Sequence, residues 1–197
     1  SSLGEVSDFP ARVERAWSIG GTPVDCVKVA LEYLLEEKPD LVLSGINNGF
    51  NAGQDIAYSG TLGAAFEARR HSIPAIALSA AADKYLEQME PHLVPILRVL
   101  TEKAADPGSV WNVNFPAVKE GKPLRGILRD RLVSPVSMYQ ERYVPVKNED
   151  GKTWLECRGI PTPDDMIPEG TDAAAVRAGY ISIGQVGCLY DVWEEEK

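Results

Sequence analysis

Apolar residues recur along the first half of the chain in two alternating rhythms. Val24, Val27, Leu31, Leu34 and Leu35 repeat at the three-and-four spacing of a helix. Thr22-Pro23-Val24-Asp25 announces that helix. Thr22 caps, Pro23 suits the first helical position, and Asp25, three residues after the cap, closes a capping box. Lys38-Pro39-Asp40 ends it. Leu41-Val42-Leu43 is too short for a helix and predicts a buried strand. A loop rich in Gly and Asn follows over 44–60. Helical spacing returns near Thr61, with Leu62, Ala65, Phe66 and Arg69, and residues 73–78 predict the next strand. Tyr85, Met89, Leu93, Ile96 and Leu100 form the stripe of a third helix, and 110–115 reads as another strand.

This order of helices and short strands is the one that right-handed crossovers build. It predicts an α/β fold: a three-layer, Rossmann-like, mostly parallel sheet with helices on both faces. Beyond Pro116 the rhythm changes. Residues 124–133 predict a strand, and 138–146 with 152–157 predict a projecting hairpin whose turn is Asn148-Glu149-Asp150-Gly151. The chain therefore divides into a Rossmann-like core over 1–130 and a hairpin arm with a C-terminal segment over 131–197. It opens on a helix, not on the strand that usually begins such a domain, as though the sheet started in its middle.

Composition narrows the function classes. The 197 residues are 44% hydrophobic and 25% charged, which suits a soluble domain with a real core. No apolar run approaches the ~18 residues of a membrane span. Twenty basic residues against 29 acidic ones give a net charge of −9. A nucleic-acid polymer is a poor partner for such a chain, because there is no basic excess to displace its counterions. A small phosphorylated ligand remains compatible, since backbone N–H groups can hold it. Cys26, Cys157 and Cys188 are odd in number and widely spaced, and Ser1 to Glu5 lacks a basic leader. Reduced thiols and a cytoplasmic location are the expectation. His71 and His92 are isolated and read as surface or helix-end residues.

The chemistry concentrates in residues 44–61, Ser-Gly-Ile-Asn-Asn-Gly-Phe-Asn-Ala-Gly-Gln-Asp-Ile-Ala-Tyr-Ser-Gly-Thr. The segment follows the carboxyl end of a strand, where open α/β sheets bind ligands. Its asparagines suit phosphate oxygens or the coordination sphere of a hard cation. Ser59-Gly60-Thr61 opens a helix, so hydroxyls and free N–H groups converge on one anion-binding spot. It is not a Walker A loop, and it lacks a GxGxxG at a helix start.

Gly21-Thr22-Pro23-Val24-Asp25-Cys26, Ser44-Gly45-Ile46-Asn47 with Gly49 and Asn51, Tyr58-Ser59-Gly60-Thr61, 112–116 and Gly170-Thr171-Asp172 resemble the SurE family in order and spacing. The resemblance runs from about Gly21 to Ile183. It implies a metal-dependent phosphomonoesterase that hydrolyses nucleoside monophosphates, with Mg or Mn as cofactor. By it, Asn47 is a metal ligand, and Asn51, Ser59, Gly60 and Thr61 bind phosphate. By the same resemblance, 139–157 is the arm of a homodimer or homotetramer, and the C-terminal part of 131–197 is an oligomerisation segment that packs on or exchanges with a partner subunit. Asp25 matches too, although capping already explains it. The family's opening strand ends in Asn-Asp-Asp-Gly, which supplies metal carboxylates and the base. That motif does not occur here. Asp164-Asp165 is the only Asp-Asp pair and sits in a Pro-rich loop, so it reads as structural. The expectation is a SurE chain lacking its first forty or so residues, about one βαβ unit's opening, with Ser1 or Ser2 a candidate for the family's serine ligand. A nucleotide-binding module without turnover is the alternative, and an interaction protein working through its aromatic hairpin is a third.

Overall fold

The computed structural model describes residues 2–6, 13–81, 86–103, 105–106, 108–117 and 124–187. Strands β1 (Leu3–Glu5) and β2 (Trp17–Ile19) pair antiparallel as a small ribbon that the sequence pattern did not foretell. Three-residue strands are too short to display alternation. Helix α1 (Pro23–Val29) follows and continues as a π-helical turn over Ala30–Leu34. The capping box forms as the sequence requires: Asp25 N–H donates to Thr22 Oγ1 at 3.2 Å, and Thr22 N–H donates to Asp25 Oδ2 at 2.8 Å.

Strand β3 (Val42–Asn48) runs beyond the expected 41–43 and absorbs the start of the segment read as a loop. A 3-10 turn (Gly53–Tyr58) leads into α2 (Gly60–Arg70). Then come β4 (Ala75–Ala80), α3 (Leu86–Glu102) and β5 (Ser109–Phe115). Tyr85, placed on the third helix from its spacing, lies outside the described residues. The strand expected over 124–133 shrinks to β6 (Ile127–Leu128), with one isolated bridge from Leu132 to Thr171. Strands β7 (Tyr139–Glu149) and β8 (Lys152–Pro161) make the hairpin, longer than foreseen. Asp150 and Gly151 both take positive φ, 52° and 71°, as a two-residue primed turn demands. Helix α4 (Asp172–Arg177) and β9 (Ile181–Gly187) complete the described chain.

The central sheet has the order β3-β4-β5-β9-β6. Strands β3, β4 and β5 are parallel, β9 is antiparallel to β5, and β6 is parallel to β9. One face carries Ile76, Leu78, Trp111, Val113, Phe115, Ile181 and Ile183 against Met89, Ile96 and Leu100 of α3. The other carries Ala75, Ala77, Val110 and Val186 against Leu62, Ala65 and Ala68 of α2. These are the three layers. Pro91 and Pro95 lie inside α3, whose stripe residues Met89, Ile96 and Leu100 are nonetheless buried, with Leu93 partly so.

Candidate phosphate site

The site begins with a fault in a strand. Ser44 pairs with Ala77, but the next pair on that face is Asn47 with Ser79, so Gly45 and Ile46 together oppose Leu78. This bulge adds one residue, and one residue of slip turns a side chain to the other face of a sheet. Asn47 therefore shares the α2 face with Ser79. Gly45 is required there: its φ is +131°, and a Cβ on it would collide with the carbonyl oxygen of Leu78. Asn47 Nδ2 donates to the Gly49 carbonyl at 3.1 Å, which leaves Oδ1, the atom a cation would take, without a partner among the described residues.

The start of α2 supplies the second half. Ser59 is its N-cap, its Oγ accepting from Leu62 N–H at 3.1 Å, and Gly63 N–H reaches Ser59 O at 2.9 Å. The amides of Gly60 and Thr61 keep no acceptor among the described residues, and Thr61 is buried with its hydroxyl likewise unbonded. Thr61 and Asn47 line one cavity of about 430 Å³, with Ser44 and Gly45 on its sheet side and Gly21, Pro23 and Cys26 on the α1 side. Ser59 and Gly60 are not part of the lining, and the Ser59 hydroxyl oxygen is turned toward Leu62.

Two helix starts thus meet beside this cavity, and they differ. The first turn of α1 already holds a carboxylate, Asp25, whose pKa is lowered by the Thr22 backbone N–H first and the Thr22 hydroxyl second. The first turn of α2 holds no acidic residue. The open, neutral start of α2 is the one that favours an anion.

Asn51, expected among the phosphate ligands, is buried one step behind the cavity. Its N–H donates to Asn114 Oδ1, its C=O accepts from Asn112 and Asn114, and its Nδ2 donates to Ser79 Oγ. Asp172 is a second buried anchor. It accepts from the N–H groups of Gly53, Ser134 and Ala173, and burial outweighs those bonds to raise its pKa. Asp55 Oδ2 accepts from Met138 N–H at 3.1 Å, and the exposed Asp164 pairs with Arg177 at 3.2 Å.

The model of the family described as survival protein SurE matches residues 4–134. The 5'-nucleotidase SurE of Desulforamulus reducens is 41% identical over 184 residues, covering 91% of this chain and 70% of that protein. The 5'-nucleotidase SurE of Gemmatimonas aurantiaca is 42% identical over 181 residues, covering 88% and 70%. The crystal structure of the SurE protein from Aquifex aeolicus superposes with a TM-score of 0.69 at 31% identity, over 98% of this chain and 82% of that one. The chain belongs to the SurE family.

SurE nucleotidases are metal-dependent as a family, so the donor set needs a test of fit. A hard divalent cation requires anionic oxygens to displace its water. Asn47 offers one neutral oxygen, and among the described residues no three His, Cys, Asp or Glu side chains gather around a common point. The described residues alone do not fit such a cation. Asp55, Asp164 and Asp172 are each engaged elsewhere in the fold. Ser1 lies outside the described residues, and Ser2 sits on the β1–β2 ribbon, its carbonyl accepting from Gly20 N–H at 2.7 Å. His71 caps α2 with Nε2 3.3 Å from Glu67 Oε1, a helix-end residue as expected.

Sequence reasoning missed what holds the SurE loop in place. The sequence places Asn112 and Asn114 on a strand and in the family-like run 112–116, and gives neither a contact. Their signal was present: in 110–115 the apolar face reads Trp111, Val113, Phe115, while the opposite face turns polar after Val110. A buried strand with asparagines on one side needs a polar partner there.

Proposed function

We propose that this chain hydrolyses nucleoside monophosphates to nucleoside and phosphate, with the phosphate group seated at the start of α2. The observation that carries this reading is the convergence on one cavity of Asn47 and Thr61, a buried residue whose hydroxyl has no partner among the described residues, beside the Gly60 and Thr61 amides, which keep no acceptor among those residues. The Gly60 and Thr61 N–H groups and the Thr61 hydroxyl donate to phosphate oxygens. The Ser59 oxygen caps Leu62, so its proton is free to donate as well. Such charge-assisted bonds strengthen as negative charge spreads over the transferring phosphoryl group.

The finer reading of the family's metal is Mg or Mn. Because the described donors do not complete a cation site, no step is assigned to it here. The outer edge of β3 is open among the described strands, with Leu43 and Ile46 exposed beside the cavity. That edge supports the reading that a strand carrying an Asp-Asp pair docks there and supplies the missing carboxylates. The exposed hairpin supports a homodimer or homotetramer. Exposed free Cys26 and Cys157 suit a cytoplasmic location, and no described helix is long and apolar enough to cross a membrane.

Phosphate release from a nucleoside monophosphate, measured with Mg²⁺ or Mn²⁺ and with chelator, tests the reading. Metal-dependent release that falls in Thr61→Ala supports it. Nucleotide binding with no release under any metal, with or without an added Asp-Asp strand, would favour the binding module instead.

A further inference from the structure

The loop between Asn47 and Ser59 is long, yet its backbone is held at two points by side chains that never reach the cavity. The first hold is on Asn51. Its N–H donates to Asn114 Oδ1 at 2.8 Å, and its C=O accepts from Asn114 Nδ2 at 3.0 Å. One side-chain amide thus grips both peptide groups of one residue, and the two bonds fix which way that amide faces. Asn112 Nδ2 adds a bond to the same carbonyl at 2.8 Å. Asn51, Asn112 and Asn114 are 5%, 3% and 0% exposed.

The second hold is on Gly53. Its N–H donates to the Asp172 carboxylate at 3.1 and 3.2 Å, and that carboxylate also accepts from Ser134 N–H at 2.9 Å and Ala173 N–H at 2.7 Å. Gly53 has φ +66°, and a Cβ on it would collide with the Val136 carbonyl oxygen. The loop is therefore wedged between the sheet and the segment that leads into the hairpin. Neither Asn114 nor Asp172 lines the cavity shared by Asn47 and Thr61.

We infer that Asn114 and Asp172 are positioning residues of the phosphate site, fixing where Asn47 stands relative to the start of α2. This rests on the phosphate reading of that site. Buried polar groups are held in one geometry only when their partners are complete, and here the partners are the backbone between the site's two halves. Asn112 is the weaker member. Its Oδ1 has no partner among the described residues, so its removal takes away one bond together with one unsatisfied acceptor.

The test combines amide hydrogen exchange with binding of inorganic phosphate, in the unmodified protein and in Asn114→Ala, Asp172→Asn and Asn112→Ala. In the unmodified protein the Asn51 and Gly53 amides should exchange at least about tenfold more slowly than the exposed Gln54. Asn114→Ala should speed exchange at Asn51 by about a hundredfold, and Asp172→Asn should do so at Gly53. Each should weaken phosphate binding about tenfold, and Asn112→Ala by less than about threefold. Ile183→Val, a core change on the opposite face of the sheet, should leave phosphate binding unchanged, which separates positioning from general loss of stability. Unchanged phosphate affinity in both Asn114→Ala and Asp172→Asn would overturn the inference. So would fast exchange at Asn51 and Gly53 in the unmodified protein, a measurement that stands even if a variant fails to fold. If the unmodified protein bound no phosphate, the phosphate reading would fall, and protected Asn51 and Gly53 amides would still establish the two holds.

Discussion

The loop over 49–58 and the hairpin β7–β8 are both excursions from the sheet, and they solve opposite problems. The loop is buried at its centre, Asn51 to Gly53, where side chains from β5 and α4 bind its backbone and Ser79 of β4 accepts from the Asn51 side chain. The hairpin leaves large apolar side chains uncovered: Tyr143, Trp154 and Leu155 are 65%, 57% and 57% exposed, and every residue of β8 is exposed. The loop has its partners inside the chain. On the proposed assembly, an arm carrying that much exposed apolar surface takes its partner from outside. A site that must keep one geometry is fixed by buried hydrogen bonds, whereas a surface meant to be covered by another molecule can be left unsatisfied by its own chain.

The largest effect expected from breaking this contrast comes from Asp172→Ala. It strands the buried amides of Gly53, Ser134 and Ala173 together, which should cost about 3 kcal/mol or more in denaturant unfolding. Trp154→Ala on the arm removes more atoms, yet at concentrations too low for assembly it should change unfolding by less than about 0.5 kcal/mol. Its effect should appear in light scattering, as loss of the larger species. Equal destabilisation by the two variants would erase the distinction between loop and arm.

Thr61→Ala comes next and acts on function. It removes one charge-assisted bond to phosphate, so kcat/KM for a nucleotide should fall by the equivalent of about 1.5–3 kcal/mol. Asn47→Ala should behave differently, losing metal affinity so that excess Mg²⁺ or Mn²⁺ restores part of the rate. If neither change altered nucleotide hydrolysis, the α2 start would be an ordinary capped helix. A smaller effect is expected at the other helix start: Thr22→Ala opens the capping box of α1 and should cost about 1 kcal/mol of stability with phosphate binding unchanged.

Much of this contrast could be read before any coordinates. The Thr22–Asp25 box, the Ser59 cap and the Asp150-Gly151 turn are local, because a few adjacent residues settle each. The parallel order of β3, β4 and β5 also followed from hydrophobic rhythm. What stayed hidden depends on distance along the chain. The grip of Asn114 on Asn51 spans 63 residues, and that of Asp172 on Gly53 spans 119. No local spacing encodes such pairs. The bulge that turns Asn47 toward α2 was hidden for another reason: Gly45-Ile46 reads as loop until Leu78 is known to lie opposite both. Strand β9 was legible in principle, since Ile181-Ser182-Ile183 alternates, but its insertion between β5 and β6, antiparallel to β5, was not.

The smallest expected effect concerns two aspartates with opposite environments. Asp25 caps the exposed start of α1, and its pKa is lowered by the Thr22 backbone N–H and then the Thr22 hydroxyl. A carboxylate with a lowered folded-state pKa adds stability that is present above its unfolded value and lost as pH falls through the folded one. Asp172 is buried under the loop, and desolvation raises its pKa despite the three amides it accepts from. For it the sign reverses. The folded state holds the proton more tightly than the unfolded chain, so its term favours folding most below the unfolded value and declines as pH rises through the folded one. Both windows adjoin the ordinary aspartate value near pH 4, Asp25 acting below it and Asp172 above. Stability against pH should therefore lose its acid-side fall in Asp25→Asn, compared with the unmodified protein. Asp172→Asn, though destabilised overall, should lose a decline on the neutral side of that value. Chemical denaturation in steps across pH 3–7 measures both slopes. Two variants with parallel curves would show that exposure and burial do not divide these carboxylates, and with them the open helix cap from the buried hold on the loop.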